Sequence, residues 1–266
     1  MEVRLHLAGN TAEVVIDNPA TRNAINIPVM KALDEALTAI EASPARAVVL
    51  RGAGERVFVS GGDLKDLDSL RDFDSAQAMA TRMRGLLDRI ATFPVPVICA
   101  LNGDAYGGGA EIAMACDFRI AAANIHLGFN QISLAITPAW GGIERLATLI
   151  GRSRALYLIL TGRILEGQEL WEWGLVEELV EREHFDDRCA AVARFVADLP
   201  KDVVIGIRSI VRFVEPSIHP NTASAAVASF ARTWIAEEHW AAVEVQQAAR
   251  KQRRHQRNSP PSDTGQ

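Results

Sequence analysis

Residues 97–117 read VICALNGDAYGGGAEIAMACD. The apolar run Val97–Leu101 predicts a buried strand, and the glycines Gly107–Gly109 introduce a short segment with helical character, Ala110–Cys116. A second strand-like run, Phe118–Ala121, follows directly. The order strand, glycine turn, helix, strand predicts an α/β core whose loops lie at the ends of the strands.

The flanking sequence repeats this alternation towards the N-terminus and becomes mostly helical after Gly141. Apolar spacing and short apolar runs predict further helices and strands. They are the helices Ile27–Ala42 and Asp72–Thr92 and the strands Val3–Leu7, Ala12–Asp17, Ala47–Leu50 and Val57–Ser60. Residues 222–249 form one long helix or two, and the polar segment 258–266 is expected to be disordered.

The composition is that of an ordinary globular protein. The 266 residues are 48% hydrophobic and 23% charged, and their net charge is −5. A mildly acidic chain is a poor candidate for a general nucleic-acid binder. Its longest apolar runs, of about five residues, are far shorter than the ~18 residues that span a bilayer. Three cysteines without a C-x-x-C pair, and no visible secretory signal, favour a cytoplasmic location.

Two segments place glycines where a strand meets a helix, Ser60–Asp63 and Gly107–Glu111. Glycine lets backbone N–H groups approach an oxygen atom without a Cβ in the way, and a helix N-terminus adds unpaired donors. Two such turns facing each other can stabilise negative charge on one carbonyl oxygen, as an oxyanion hole does. The alternative for each turn is a tight turn or close packing. Neither matches the glycine pattern of a nucleotide-binding loop.

Glu111 is the candidate acid/base group. It lies in the first turn of the predicted helix among small and apolar residues. A carboxylate there can transfer protons beside an oxyanion hole; the alternative is a favourable interaction with the helix dipole and no chemistry. Burial raises the pKa of such a group and the dipole lowers it, so the sequence leaves the direction open. For Asp63 the expected role is an N-cap after the first turn.

The chain resembles the crotonase superfamily, the enoyl-CoA hydratase/isomerase enzymes, from about Val14 to Val180. Four motifs carry the resemblance, in the order and spacing of that family. They are NPATRNAIN at 18–26, VFVSGGDLK at 57–65, NGDAYGGGAEIAMACD at 102–117 and PAWGG at 138–142. Together these motifs are far more specific than any one of them.

The resemblance implies an α/β fold, a crotonase-like spiral of ββα units with a C-terminal helical trimerisation region. It divides the chain into a core at 1–200, a helical region at 201–257 and a disordered tail at 258–266. It also implies an enzyme that acts on acyl-CoA thioesters through an enolate-like intermediate, as a homotrimer or homohexamer. Coenzyme A then enters as part of the substrate, with no separate cofactor, no metal and no membrane partner.

The family pattern assigns the oxyanion donors to the N–H groups of Gly62 and Gly108. Loss of one such donor typically costs ~3 kcal/mol of transition-state stabilisation, so this pair outweighs most single side chains. The pattern assigns coenzyme A contacts to a larger set: Arg22, Ala24, Ser60, Gly61, Asp63, Leu64 and Lys65. For Arg22 and Lys65 the alternative is a solvated surface charge.

The sequence departs from the family pattern where hydratases carry a second glutamate, because Gln131 occupies that position. Glutamine does not exchange a proton at neutral pH. If the segment is extended, Gln131 and Ser133 share a face and orient a water molecule or a polar acyl group. Bulky Trp140, where many hydratases have a small residue, is similar to some decarboxylating members; its alternative role is packing.

These departures favour an enolate enzyme with a single acid/base glutamate, isomerase-like or decarboxylase-like. One alternative is a hydratase that uses Glu111 with a water molecule held by Gln131. An alternative of another class is a non-catalytic acyl-CoA-binding or RNA-binding member, since the run 250–257 carries five basic residues. The simpler interpretation of that run is a solvated helix end. No coenzyme A contact is assigned to it, because it lacks the aromatic residue of the family pattern.

Overall fold

The computed structural model describes residues 2–214 and 220–258, with ten strands and ten α-helices along them. The strands are β1 (Val3–Ala8), β2 (Thr11–Ile16), β3 (Ala47–Gly52), β4 (Val57–Val59), β5 (Val97–Leu101), β6 (Asp104–Tyr106), β7 (Phe118–Ala122), β8 (His126–Gly128), β9 (Ile164–Glu166) and β10 (Glu178–Val180). The helices are α1 (Ile27–Glu41), α2 (Phe73–Ala91), α3 (Gly108–Ala115), α4 (Gly142–Ile150), α5 (Arg152–Thr161), α6 (Gln168–Glu172), α7 (Phe185–Asp198), α8 (Lys201–Val214), α9 (Pro220–Trp234) and α10 (Glu237–Asn258). Short 3-10 helices cover Pro19–Thr21, Leu67–Ser69, Asn130–Leu134 and Arg182–His184.

The strands form two sheets. The larger has the order β1-β2-β3-β5-β7-β10 and is parallel apart from the antiparallel pair β1–β2. The smaller has the order β4-β6-β8-β9, in which only β9 is antiparallel to its neighbour. The units β3-β4-α2, β5-β6-α3 and β7-β8-α4 each give one strand to each sheet and then a helix. This repetition is the predicted spiral of ββα units, and the α/β prediction is confirmed.

The predicted elements form for the expected physical reasons. All five residues of β5 are buried, because a central parallel strand is covered on both faces. Helix α1 starts at Asn26, whose side chain accepts a hydrogen bond from the Val29 N–H (2.9 Å), and Asp72 caps α2 through the Ser75 N–H (2.9 Å). Both helices bury the apolar face that the sequence predicts.

Close backbone packing places the start of α3 beside the end of β4. A Cβ atom on Gly109 would overlap the carbonyl oxygen of Val59, so only glycine allows this approach. Nearby, the Asn102 side chain donates to the carbonyl oxygens of Gly52 (2.9 Å) and Gly54 (2.6 Å). The ends of β3 and β5 are thus tied together, and the start of α3 is held against the end of β4.

Two sequence expectations are resolved at the level of the fold. Residues 222–249 belong to two helices, α9 and α10, and not to one. Asn258, predicted to begin a disordered tail, is the last residue of α10, and 259–266 lie outside the described residues. The boundary at residue 200 and the trimerisation role of the helices after it stay predictions. None of the helices in 2–214 and 220–258 is long and apolar enough to cross a membrane.

Candidate active site

A cavity of about 340 Å³ opens at the ends of β4 and β6. Its walls come from both glycine turns, the 3-10 helix Asn130–Leu134, the segment before α4, and helices α9 and α10. The predicted site residues that line it are Arg22, Ala24, Ser60, Gly61, Gly62, Asp63, Leu64, Lys65, Gly108, Glu111, Gln131 and Trp140. Ser133 is the one predicted site residue that does not line it.

In the first glycine turn, the N–H group of Gly62 points away from the neighbouring segment around Ile25. Gly62 forms an isolated parallel bridge with Ile25, in which Ile25 N–H donates to Gly61 O and Asp63 N–H donates to Ile25 O, both at 2.8 Å. In a parallel bridge the middle residue directs its own N–H to the opposite side. The Gly62 N–H has no acceptor among the described residues and remains available to a ligand.

The second glycine turn lies against the first. Gly107 has φ 54° and Gly61 has φ 109°, conformations that favour glycine. A Cβ atom on Gly61 would lie 3.6 Å from the Gly108 nitrogen. Gly108 is the first residue of α3, where an N–H group has no partner within the helix. The sequence prediction that the two turns face one cavity agrees with this geometry.

Glu111 is almost fully buried, with 2% of its surface exposed. Its Oε2 accepts hydrogen bonds from the N–H groups of Trp140 and Gly142, both at 2.9 Å. Its Oε1 accepts a bond from the Gln131 Nε2 at 3.1 Å. The backbone N–H groups at the start of α4 thus hold one carboxyl oxygen of Glu111. The other carboxyl oxygen lies next to the side-chain amide of Gln131, which lines the cavity.

Burial raises the pKa of Glu111 to about 7, and the N–H groups of Gly142 and Trp140 oppose that rise. The direction that the sequence left open is therefore upwards, because desolvation outweighs the hydrogen bonds. A carboxyl group with this pKa both accepts and donates protons near neutral pH.

Gln131 and Ser133 do not share a face, because the segment is not extended and the condition for a shared face is not met. Residues Asn130–Leu134 form a 3-10 helix, in which positions two apart point in different directions. Gln131 is buried beside Glu111, whereas Ser133 is exposed, donates to Asn130 O (2.7 Å) and accepts from Gln246 Nε2 (3.1 Å). Ser133 therefore contributes to the contact with α10 and not to the cavity.

Trp140 packs against both glycine turns and also lines the cavity. Its ring is 5% exposed and packs on Gly108 so closely that a Cβ atom there would overlap it. A Cβ atom on Gly62 would lie 3.8 Å from the same ring. Trp140 is thus both a packing residue and the wall of the cavity between the two glycine turns.

Three cations lie at the open end of the cavity: Arg22, Lys65 and Arg250. All three are exposed, and no carboxylate in the described part of the chain pairs with them. Desolvation and, to a smaller extent, the charge of Arg22 lower the pKa of Arg250, and both side chains line the same cavity. Unpaired cations at one opening favour a ligand with phosphate groups.

Sequence reasoning missed the contribution of the C-terminal helices. Phe230 and Trp234 of α9 and Val243, Gln246, Gln247 and Arg250 of α10 also line the cavity. Helix α10 is anchored by His239, whose Nδ1 is 2.6 Å from Leu134 O. The apolar and aromatic spacing of residues 230–243 was the signal available in the sequence. Only the packing of α10 across the cavity shows that these residues contribute to the site.

The prediction that Asp63 caps a helix is wrong, because residues 64–66 form a turn and the 3-10 helix Leu67–Ser69 that follows has Asp66 at its N-cap. Its Oδ1 accepts from Lys65 N–H (3.2 Å) and Asp66 N–H (3.4 Å), which fixes the turn after Gly62. In the ranges that the structure describes, no group of three His, Cys, Asp or Glu side chains is arranged to hold a metal ion.

Comparison with known proteins agrees with this site. The family model described as enoyl-CoA hydratase/isomerase matches residues 7–238. The chain is 35% identical to the short-chain-enoyl-CoA hydratase of Clostridium acetobutylicum over 81% of this chain and 83% of that protein. It is 36% identical to the crotonyl-CoA hydratase of Syntrophomonas wolfei over 65% of this chain and 66% of that protein.

A solved structure, the enoyl-CoA hydratase of Bacillus anthracis, superposes with a TM-score of 0.78 at 31% identity, covering 85% of this chain and 88% of that chain. The match extends across the ββα units that build the cavity. The fold, the family model and the relatives agree with the sequence motifs. The chain is therefore an enzyme of the enoyl-CoA hydratase/isomerase family, within the crotonase superfamily.

Proposed function

We propose that this enzyme converts acyl-CoA thioesters through an oxyanion-stabilised enolate, with Glu111 as its single acid/base group. One observation carries the proposal: a buried carboxyl group with a pKa of about 7 shares a cavity with two free glycine amides. A proton-transfer group with a pKa near the working pH is well suited to general acid/base catalysis.

The amides of Gly62 and Gly108 bind the thioester oxygen and stabilise the negative charge that develops on it. In an isomerisation, the Glu111 carboxylate removes a proton from the α-carbon to form the enolate, the double bond shifts, and the same carboxyl group returns the proton to the γ-carbon. In a decarboxylation, the bond to the carboxylate breaks, its electron pair forms the enolate, and protonated Glu111 supplies a proton to the α-carbon. Either reaction balances with one carboxyl group.

The coenzyme A part of the substrate occupies the open end of the cavity. Arg22, Lys65 and Arg250 are placed to bind its phosphates, and the turn Ser60–Leu64 together with Ala24 borders the path between the phosphates and the thioester. Coenzyme A is substrate in this proposal, and no further cofactor is required.

A hydratase is the second candidate. Gln131 donates from Nε2 to Glu111, and its Oε1 has no partner among the described residues. A small movement of the amide would let Gln131 and Glu111 hold one water molecule between them. Relatives named as hydratases support this candidate. The missing second carboxylate weighs against it, because Glu111 must then both activate the water and protonate the α-carbon.

The test is a substrate panel of crotonyl-CoA, a 3-enoyl-CoA and methylmalonyl-CoA, followed for water addition, double-bond shift and CO₂ release. We expect Glu111→Gln to lower turnover of the converted substrate by about 10³-fold or more, while the thioester still binds in calorimetry. Glu178→Gln, at a residue that does not line the cavity, is the matched control. Full activity of Glu111→Gln would remove this residue from the mechanism. If the unmodified protein binds the thioesters but converts none of them, the non-catalytic alternative is favoured.

A further inference from the structure

A buried ion pair lies behind the candidate active site. Arg84 of α2 donates from Nη1 to Glu144 Oε1 of α4 at 2.8 Å. The two side chains are 8% and 10% exposed. Neither residue lines the cavity, so the role of this pair is not substrate contact. A buried pair of charges is costly to desolvate and is seldom explained by stability alone.

The pair fixes the helix that holds Glu111. Glu144 lies in the first turn of α4, and the N–H groups of Trp140 and Gly142 at the start of that helix donate to Glu111 Oε2. A Cβ atom on Gly142 would overlap the Glu111 side chain, so α4 and Glu111 are in tight contact. A second bond between the same helices, from Arg145 Nη2 to Asp88 Oδ1 at 2.5 Å, reinforces the attachment of α4 to α2.

The charged and titratable groups nearest to α3 come from three of the elements that pack on it. They are Glu144 and Arg145 of α4, Arg84 and Asp88 of α2, and Asp104 and Tyr106 of β6. Asp104 accepts hydrogen bonds from Tyr106 and from the His126 backbone, and it is not among the leading influences on Glu111. Glu144 raises the pKa of Glu111 and Arg145 lowers it. Glu144 repels a negative charge on Glu111 only while Glu144 itself is ionised. The ion pair with Arg84 stabilises this ionised form at a buried position.

We propose that Arg84 and Glu144 are positioning residues for the reaction: their ion pair holds α4 against α2 and thereby places the amides of Trp140 and Gly142 on Glu111. The inference rests on the proposed function, in which Glu111 transfers the proton. It adds two residues outside the cavity to the machinery that controls this step.

The decisive variant is Glu144→Gln, which keeps an acceptor for Arg84 and removes the negative charge. Loss of a like charge favours ionised Glu111, so the midpoint of its titration is expected to fall by about half a pH unit or more. The midpoint is measured without substrate, by carbon-13 NMR of protein labelled at the glutamate carboxyl groups. The Glu111 signal is assigned by its absence in Glu111→Gln.

The pH profile of kcat/KM for the converted substrate gives the second measurement and is expected to move in the same direction. Glu177→Gln is the matched control, because Glu177 also pairs with a buried arginine, Arg119, but does not line the cavity. If Glu144→Gln is unstable, the double variant Arg84→Gln/Glu144→Gln replaces both charges with amides, and its fall is expected to be smaller because the positive charge of Arg84 is lost as well.

An unchanged NMR midpoint in a folded Glu144→Gln variant, or a higher midpoint in the double variant, would overturn the inference. A shifted NMR midpoint with an unshifted activity profile would support the inference and contradict the proposed role of Glu111, so the two failures are distinguishable. A loss of kcat with no change in either midpoint would show a merely structural pair and would also overturn the inference.

Discussion

The floor of the cavity and its mouth are built on different principles. The floor consists of Gly62, Gly108, Glu111, Gln131 and Trp140, and the mouth consists of Arg22, Lys65 and Arg250. The floor is made largely of backbone amides and one carboxyl group held by three hydrogen bonds. The mouth is made of exposed cations on a loop and on α10.

The difference follows from the local dielectric environment. Charges and dipoles at the floor act without competition from water, so each is strong and its orientation is decisive. Cations at the mouth are screened by water and salt, so each contributes little and tolerates replacement. Substitutions at the floor should therefore change kcat, and substitutions at the mouth should change KM and its salt dependence.

The largest effect in this comparison is expected from Gly108→Ala. The new Cβ atom overlaps the Trp140 ring, so the ring or the start of α3 must move and the amide no longer points at the thioester oxygen. Turnover should fall by roughly 10²–10³-fold in steady-state assays. Gly85→Ala in α2, where a Cβ atom meets open space, is the control and should keep full turnover. Equal activity of both variants would mean that the floor is not preorganised around Gly108.

An intermediate effect is expected from Trp140→Ala. Removal of a buried ring typically costs ~3–5 kcal/mol of folding free energy and enlarges the cavity between the glycine turns. The preference in kcat/KM should move towards longer acyl chains, as measured with thioesters of increasing length. Trp171→Ala, at a side chain that is 54% exposed, controls for the loss of a tryptophan. An unchanged chain-length preference would show that the ring does not limit the acyl site.

The smallest effects are expected at the mouth, from Arg22→Gln and Arg250→Gln. Each should raise KM by about fivefold or less, with kcat nearly unchanged, because exposed charges are screened. The increase should shrink as salt is added, which titration of KM against ionic strength measures. Lys31→Gln on the outer face of α1 should have no effect. A change in kcat without a change in KM would contradict this prediction, because it would mean that these cations act on the reacting atoms and not on the phosphates.

Much of the fold was predictable because it depends on local patterns. The apolar run of β5 and the amphipathic spacing of α2 identify these elements at nearly their observed bounds. The two glycine turns identify the floor of the site. The prediction failed for Ser133, because a short polar segment can be extended or 3-10 helical and only its packing against α10 decides between them. Arg250 was not assigned to the site because its run lacks the aromatic residue of the family pattern, and nothing local links residue 250 to residue 22.

The sequence by itself determined the α/β class, the two glycine turns, the single carboxyl group among apolar residues and the glutamine in place of a second one. These depend on residue type and short-range spacing. The tertiary structure alone decided that the two turns meet, that Glu111 is held by the start of α4 with its pKa raised to about 7, and that α10 closes over the cavity. Burial and proximity depend on which distant segments pack together, and no local pattern contains that information.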